Sequence, residues 1–278
     1  MQSIIETIPP RIHPLGGVSV RRYLPATGRQ MVGPFIFMDY GGPFKIPHTM
    51  AKGVPEHPHA GLATFTYLMD GEMNHRDSAG YAATIRAGDI ALMTAGRGIT
   101  HEELPSRAEV KDTHRAHFLQ LWIALPDEAE ETEPTFELHR QADLPVVRTD
   151  GALVRVAMGS GWGETAPTTC YTTTIFADMQ LEPGAAVPMD VAADEVALIL
   201  LDGDGDLGDG PIEAHSLHLL APQSMTLRST GGCRAIVLGG GHFASPRWIG
   251  GSFVASSVDK LQRWMYDSAI GRWPQIKR

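Results

Sequence analysis

Four side chains, His57, His59, His101 and Glu103, combine ligand types and spacing suited to one transition-metal ion. In Val54-Pro-Glu-His-Pro-His-Ala60, Pro58 lacks a backbone donor and biases His57 toward extended geometry. Residues two apart on an extended chain point to one side, so His57 and His59 can converge on a single ion. A proline inside such a strand also implies an edge or a barrel mouth, where one ladder bond is dispensable. In Thr94-Ala-Gly-Arg-Gly-Ile-Thr-His-Glu-Glu-Leu104 the same parity puts His101 and Glu103 on one face and turns Glu102 away. Gly96 and Gly98 permit a turn that brings this pair back toward the first. Three neutral imidazoles and a carboxylate suit divalent Fe, Mn, Ni or Cu, with Co and Zn also compatible. Positions stay open for water, substrate or O₂, and the net positive centre favours an anionic enolate ligand. The chain has twelve histidines, so a bare H-x-H says little; the weight rests on its pairing with the second stretch. His13, His48, His114, His117, His139, His215, His218 and His242 read as structural or surface residues. His75, just past Gly71, is the remaining one and the one expected to do more.

Short strands must position these residues. Leu62–Met69, Ala82–Arg86, Asp89–Met93, His117–Leu125 and Glu195–Leu201 are apolar or β-branched runs bounded by Gly, Pro or Asp. Asp70-Gly71 and the run from Asp202 to Asp206 read as turns between strands. Helical spacing is clear only over Ser257–Tyr266, where Val258, Leu261, Trp264 and Met265 line one face and Ser256 or Ser257 caps the start. Pro126–Pro134 carries five acids and reads as a solvated connector between two domains. Tyr67-Leu-Met-Asp-Gly71 recurs as Ile199-Leu-Leu-Asp-Gly203, an offset of 132 residues that supports two similar β domains in tandem. The same offset sends His57, His59 and Ala63 to Met189, Val191 and Glu195, so the second domain cannot build the same site.

The 278 residues are 43% hydrophobic and 20% charged, the balance of a globular protein with a sizeable core. A formal charge of −9, with Lys and Arg dispersed, argues against a nucleic-acid or anionic-membrane surface. No apolar run approaches the roughly 20 residues of a membrane helix. An acid and paired prolines occupy the place of a secretory apolar region, so a cytoplasmic protein is expected. Cys170 and Cys233 are expected as two buried thiols, and their number excludes a thiolate zinc site.

HPHAG at 57–61, YLMDGEMNHRDSAG at 67–80, RAGDIALMTAGRGITHEE at 86–103, QLWIALP at 120–126 and PRWIGGSFVASS at 246–257 resemble the pirin family of the cupin superfamily over nearly the whole chain. The resemblance implies an all-β fold of two tandem cupin barrels, each a jelly-roll or double-stranded β-helix, with a short C-terminal helix. Residues 1–130 would form the metal-binding barrel, and residues 131–278 a barrel without metal plus the helix. It implies Fe(II) held by His57, His59, His101 and Glu103. Most metal cupins place a carboxylate shortly after the H-x-H, where this chain has Ala63 and Thr64; the acid then comes from Glu103, as in pirins. Ala63 also departs from the Glu frequent in pirins, which bears on pocket polarity and substrate.

Three functions fit that resemblance. One is a quercetin 2,3-dioxygenase-type oxygenase acting with O₂ on a small aromatic, flavonol-like enol, with Glu103 as base. Its flat ligand would find apolar walls among Phe44, Tyr67 and Met93. Another is a metal- and redox-responsive regulator that binds a partner protein, as a transcriptional co-regulator or a modulator of a metabolic enzyme. The third is a metal cupin of another reaction class.

Overall fold

The computed structural model describes residues 2–47, 50–106 and 113–277, and its regular structure is mainly β-strand; His48 lies outside the described residues. Two compact cupin units are interleaved along the chain. One comprises Ile12–Arg22, Ile36–Gln141 and Phe243–Arg278; the other comprises Met1–Arg11, Tyr23–Phe35 and Ala142–His242. A linear reading of the acidic segment as a domain border does not anticipate these exchanges. Strand Thr135–His139 pairs with Ile90–Thr94 of the N-terminal barrel, and the C-terminal stretch belongs to that same unit.

In the N-terminal barrel the long strand Leu62–Asp77 organises the rest. Its first half pairs with Ile90–Thr94 and Thr113–Ala124. Its second half pairs with Ala82–Arg86 and Ile99–Pro105. Asp70-Gly71, expected as a turn between strands, is a bend within this one strand. Gly71 has φ +93°, and a Cβ there would lie 2.0 Å from the Arg115 carbonyl oxygen. A glycine lets the strand pass from one sheet to the other, and the register with Thr113–Ala124 shifts beside it.

In the C-terminal barrel, Ile4–Ile8, Leu217–Leu220, Glu195–Gly203, Cys233–Gly240, Thr174–Leu181, Ala152–Gly161 and Val146–Thr149 lie side by side in that order. Leu198, Leu200, Met179, Val237 and Leu227 fill its core. Met189 and Val191 pack against apolar clusters. Glu195 accepts from Arg29 Nη1 and the Gly33 amide, each at 2.8 Å. Apolar packing and an ion pair thus stand where the first barrel has its H-x-H. Cys233 is buried, but Cys170 is exposed, contrary to the expectation of two buried thiols.

The acidic run is solvated along Asp127, Glu128, Glu131 and Glu133, as expected of a connector, but it is also tied down by ion pairs and one buried acid. Asp127 pairs with Arg247 at 2.8 Å, Glu131 with Arg263 at 2.5 Å, and Glu133 with Arg97. Glu130 is fully buried and accepts from Ser256 Oγ and Lys260 Nζ. These contacts hold the C-terminal helix, Val258–Ala269, which Ser257 caps by accepting from the Lys260 amide. Leu261 and Trp264 are its buried face, whereas Val258 and Met265 are exposed. Removing one member of a buried charge cluster strands the others, at roughly 3–5 kcal/mol. Glu130→Ala is therefore expected to lose about 3 kcal/mol in urea unfolding. A loss near zero would rank the cluster with surface pairs.

Candidate metal centre

Strands Val54–His59 and Ile99–Pro105 are antiparallel, with His57 opposite His101 and His59 opposite Ile99. Ile99–Pro105 also pairs with Leu62–Asp77, so Asp77 lies opposite His101, and His75 opposite Glu103. Cross-strand neighbours share a face, and the alternation read from the sequence therefore becomes a cluster. One nitrogen from each of His57, His59 and His101 lies within 4.8 Å of the others, a group able to hold a metal ion. Ring centroids are 4.8 Å apart for His57 and His59, 4.3 Å for His57 and His101, and 5.0 Å for His59 and His101.

Hydrogen bonds on the far side of two rings fix which nitrogen faces inward. His57 Nδ1 donates to the Pro55 carbonyl, and His59 Nδ1 to the Ser252 carbonyl, each at 2.8 Å. A carbonyl only accepts, so both Nδ1 atoms carry a proton, and in the neutral ring Nε2 is then the lone-pair nitrogen. His57 Nε2 lies 3.0 Å from His101 Nε2, while the buried His101 Nδ1 has no hydrogen-bond partner. The unpartnered His101 Nδ1 and the close Nε2 pair fit a donor set in which His57, His59 and His101 would hold a divalent transition metal. Burial drives the His59 pKa down to about 3, reinforced by His57, and drives His101 well below the ordinary histidine value. Both are therefore neutral near pH 7, as ligation requires.

Glu103, the fourth residue expected, is not part of this group. Its carboxylate is nearly buried, and Oε1 accepts from Thr66 Oγ1 at 3.3 Å. Thr66 Oγ1 is also 2.9 Å from the Gln120 side-chain amide. With that amide turned to donate, the hydroxyl proton is released toward Glu103.

His75, singled out in the sequence, lies beside the group. It is buried, its Nε2 lies 2.9 Å from Asp77 Oδ2, and its ring stacks on Phe136 at 4.2 Å and sits 5.4 Å from His101. Asp77 is fixed in turn by the Ala79 and Tyr81 amides. Sequence reasoning passed over Asp77, although H-x-D at 75–77 carries the parity of H-x-H. It also passed over Trp122, which meets His59 edge-on at 5.1 Å and stacks on Phe37 at 4.2 Å. Arg22 covers the Phe37 ring at 4.4 Å and forks onto Asp39.

Of the expected apolar walls, Met93 is buried opposite Thr64 and Phe136. Tyr67 follows Thr66 in the strand and so points to the opposite face. Phe44 is half-buried at the far end of Phe35–Pro47. Trp122 and Phe136 are the aromatic surfaces nearest the imidazoles, one against His59 and the other through His75.

The Pirin family model matches residues 17–123, and the Pirin C-terminal cupin domain matches residues 176–273. A pirin-like protein of Caulobacter vibrioides is 34% identical over 93% of this chain and 90% of its own length. Pirin-like protein 2 of Arabidopsis thaliana is 31% identical over 92% of this chain and 80% of its own. A crystal structure of quercetin 2,3-dioxygenase from Acinetobacter baumannii aligns with TM-score 0.90 and 30% identity, covering 98% of this chain and 91% of that one. Among the described residues, no helix is long and apolar enough to cross a membrane.

Proposed function

This chain belongs to the pirin family, and from that premise we propose that it is a metal-dependent oxygenase of the quercetin 2,3-dioxygenase type, acting on flavonol-like substrates with O₂. The observation that carries the reading is a trio of imidazoles able to hold one metal ion, with the buried Glu103 on the same strand as His101. A structural site would be closed by its protein ligands, whereas three imidazoles would leave coordination positions of a bound ion open. His57, His59 and His101 would hold a divalent ion, Fe(II) in this reading, which would supply a Lewis acid that lowers the pKa of a coordinated hydroxyl.

The chain's own residues do the rest. Glu103 accepts the proton of the flavonol 3-hydroxyl, with the Thr66 hydroxyl donating to Oε1 and holding the carboxylate in place. Trp122 and Phe136 offer flat apolar surface to an aromatic ligand. Both atoms of O₂ enter the products, and one ring carbon leaves as carbon monoxide, which balances the cleavage.

The test loads metal-free protein with Fe, Ni, Mn, Co, Cu or Zn and follows quercetin absorbance under air and under argon. Bleaching under air alone, with carbon monoxide released, is the expected result. Failure with every metal, although the ions bind, would overturn the oxygenase reading and turn attention to a redox-responsive partner-binding role.

A further inference from the structure

The C-terminal stretch returns to the unit that holds the imidazoles and touches three consecutive residues of the ligand-bearing segment. Ser252 Oγ donates to the Pro58 carbonyl, the Ser252 carbonyl accepts from His59 Nδ1 at 2.8 Å, and the Val254 amide donates to the Ala60 carbonyl at 3.1 Å. Ser252 sits in the two-residue turn between Trp248–Gly250 and Phe253–Ala255, with Gly251 at φ +59°. Phe253 bridges to Ala60, and Phe253, Ala255, Leu261, Trp264 and Trp273 pack around it. A hairpin serving only to cover the strand needs backbone and apolar contacts. This one also reaches the ring nitrogen of a candidate ligand.

We propose that Ser252 is a positioning residue of the metal centre: its carbonyl fixes the tautomer and plane of His59, and its hydroxyl, clipped to Pro58, fixes that carbonyl. The chemistry is that of a metal-bound imidazole whose outer nitrogen donates to an acceptor, which holds the ring in place and raises its basicity. The two bonds are mutually dependent, because one residue makes both to adjacent positions of the same strand. Without the hydroxyl's anchor the turn can rotate, the carbonyl leaves Nδ1, and the proton can move to Nε2, the nitrogen that faces His57 and His101.

The inference rests on the metal reading, and its test separates the two. Nitrogen-15 spectra of the imidazoles in metal-free wild-type protein near pH 7 are expected to show His59 as the Nδ1–H tautomer; an Nε2–H tautomer would overturn the proposal without any variant or metal. Ser252→Ala is expected to weaken Co(II) binding, measured against a competing chelator, by about 10-fold. It should also give His59 a detectable Nε2–H population. Ser252→Thr, which keeps the hydroxyl, should restore both. Wild-type affinity and tautomer in Ser252→Ala would overturn the proposal, even if the variant melts earlier, because a merely structural hairpin predicts that pattern. If wild-type protein takes up no metal at all, the metal reading fails, and the tautomer measurement still decides the role of Ser252.

Discussion

His101→Ala is expected to lower affinity for a divalent transition metal by more than about 100-fold, because even outer partners of ligating histidines are worth roughly 10–100-fold. His101 lies at the centre of the donor set. It is opposite His57 in the ladder, 3.0 Å from it between Nε2 atoms, and almost wholly buried. Removing it leaves only the two imidazoles on Val54–His59 of that histidine group. Oxygen-dependent bleaching of quercetin should disappear with the metal. His139→Ala is the matched control: that ring lies on Thr135–His139 against Glu137, at 3.0 Å, and its loss should leave metal uptake unchanged. Mass spectrometry of bound metal on both variants decides the matter. Equal metal content in His101→Ala and wild type would remove the site from these residues.

The metal-free protein is expected to lose stability steadily as pH falls from 6.5 toward 3. His59 ordinarily titrates at 6.5 and in the fold only at about 3, because burial penalises its charged form. Between those values the unfolded chain binds a proton that the folded chain refuses, so acid favours unfolding. Full stability is therefore present above pH 6.5. At pH 5 the loss from His59 alone is about 2 kcal/mol, the equivalent of roughly one and a half pKa units. His101, shifted in the same direction, adds to it. A bound ion competes with protons for the same lone pairs, so metal-loaded protein should resist to lower pH. Urea midpoints at pH 7 and pH 5, with chelator and with Co(II), measure both effects. A metal-free midpoint that does not move would contradict neutral burial of these rings.

Much of this site was legible in the sequence because strand parity is a local rule. His57 and His59 alternate around Pro58, and the ladder that sets them opposite His101 preserves the alternation. Glu103 obeys the same parity, yet its carboxylate meets Thr66 on a neighbouring strand. A backbone rule fixes the side of the sheet but not where a long, flexible side chain ends. Asp70-Gly71 has the local chemistry of a hairpin turn. Only the close approach of Arg115 and Ala116 makes it a bend within one strand. The pairing of Asp127, Glu130 and Glu131 was not legible because their partners Arg247, Lys260 and Arg263 lie more than a hundred residues away. Ser252 left no signal, since it reaches His59 through a main-chain carbonyl that every residue possesses.

The separation between His59 and Ser252 also sets a clock on biosynthesis. The two are 193 residues apart in sequence. At ordinary elongation rates, roughly 10–40 s pass between the synthesis of the imidazole and that of its carbonyl partner. Throughout that interval the nascent barrel holds its histidines without the hairpin that orients one of them. On the proposed role of Ser252, a ribosome stalled before that residue should present a nascent protein that holds metal less tightly than the released chain.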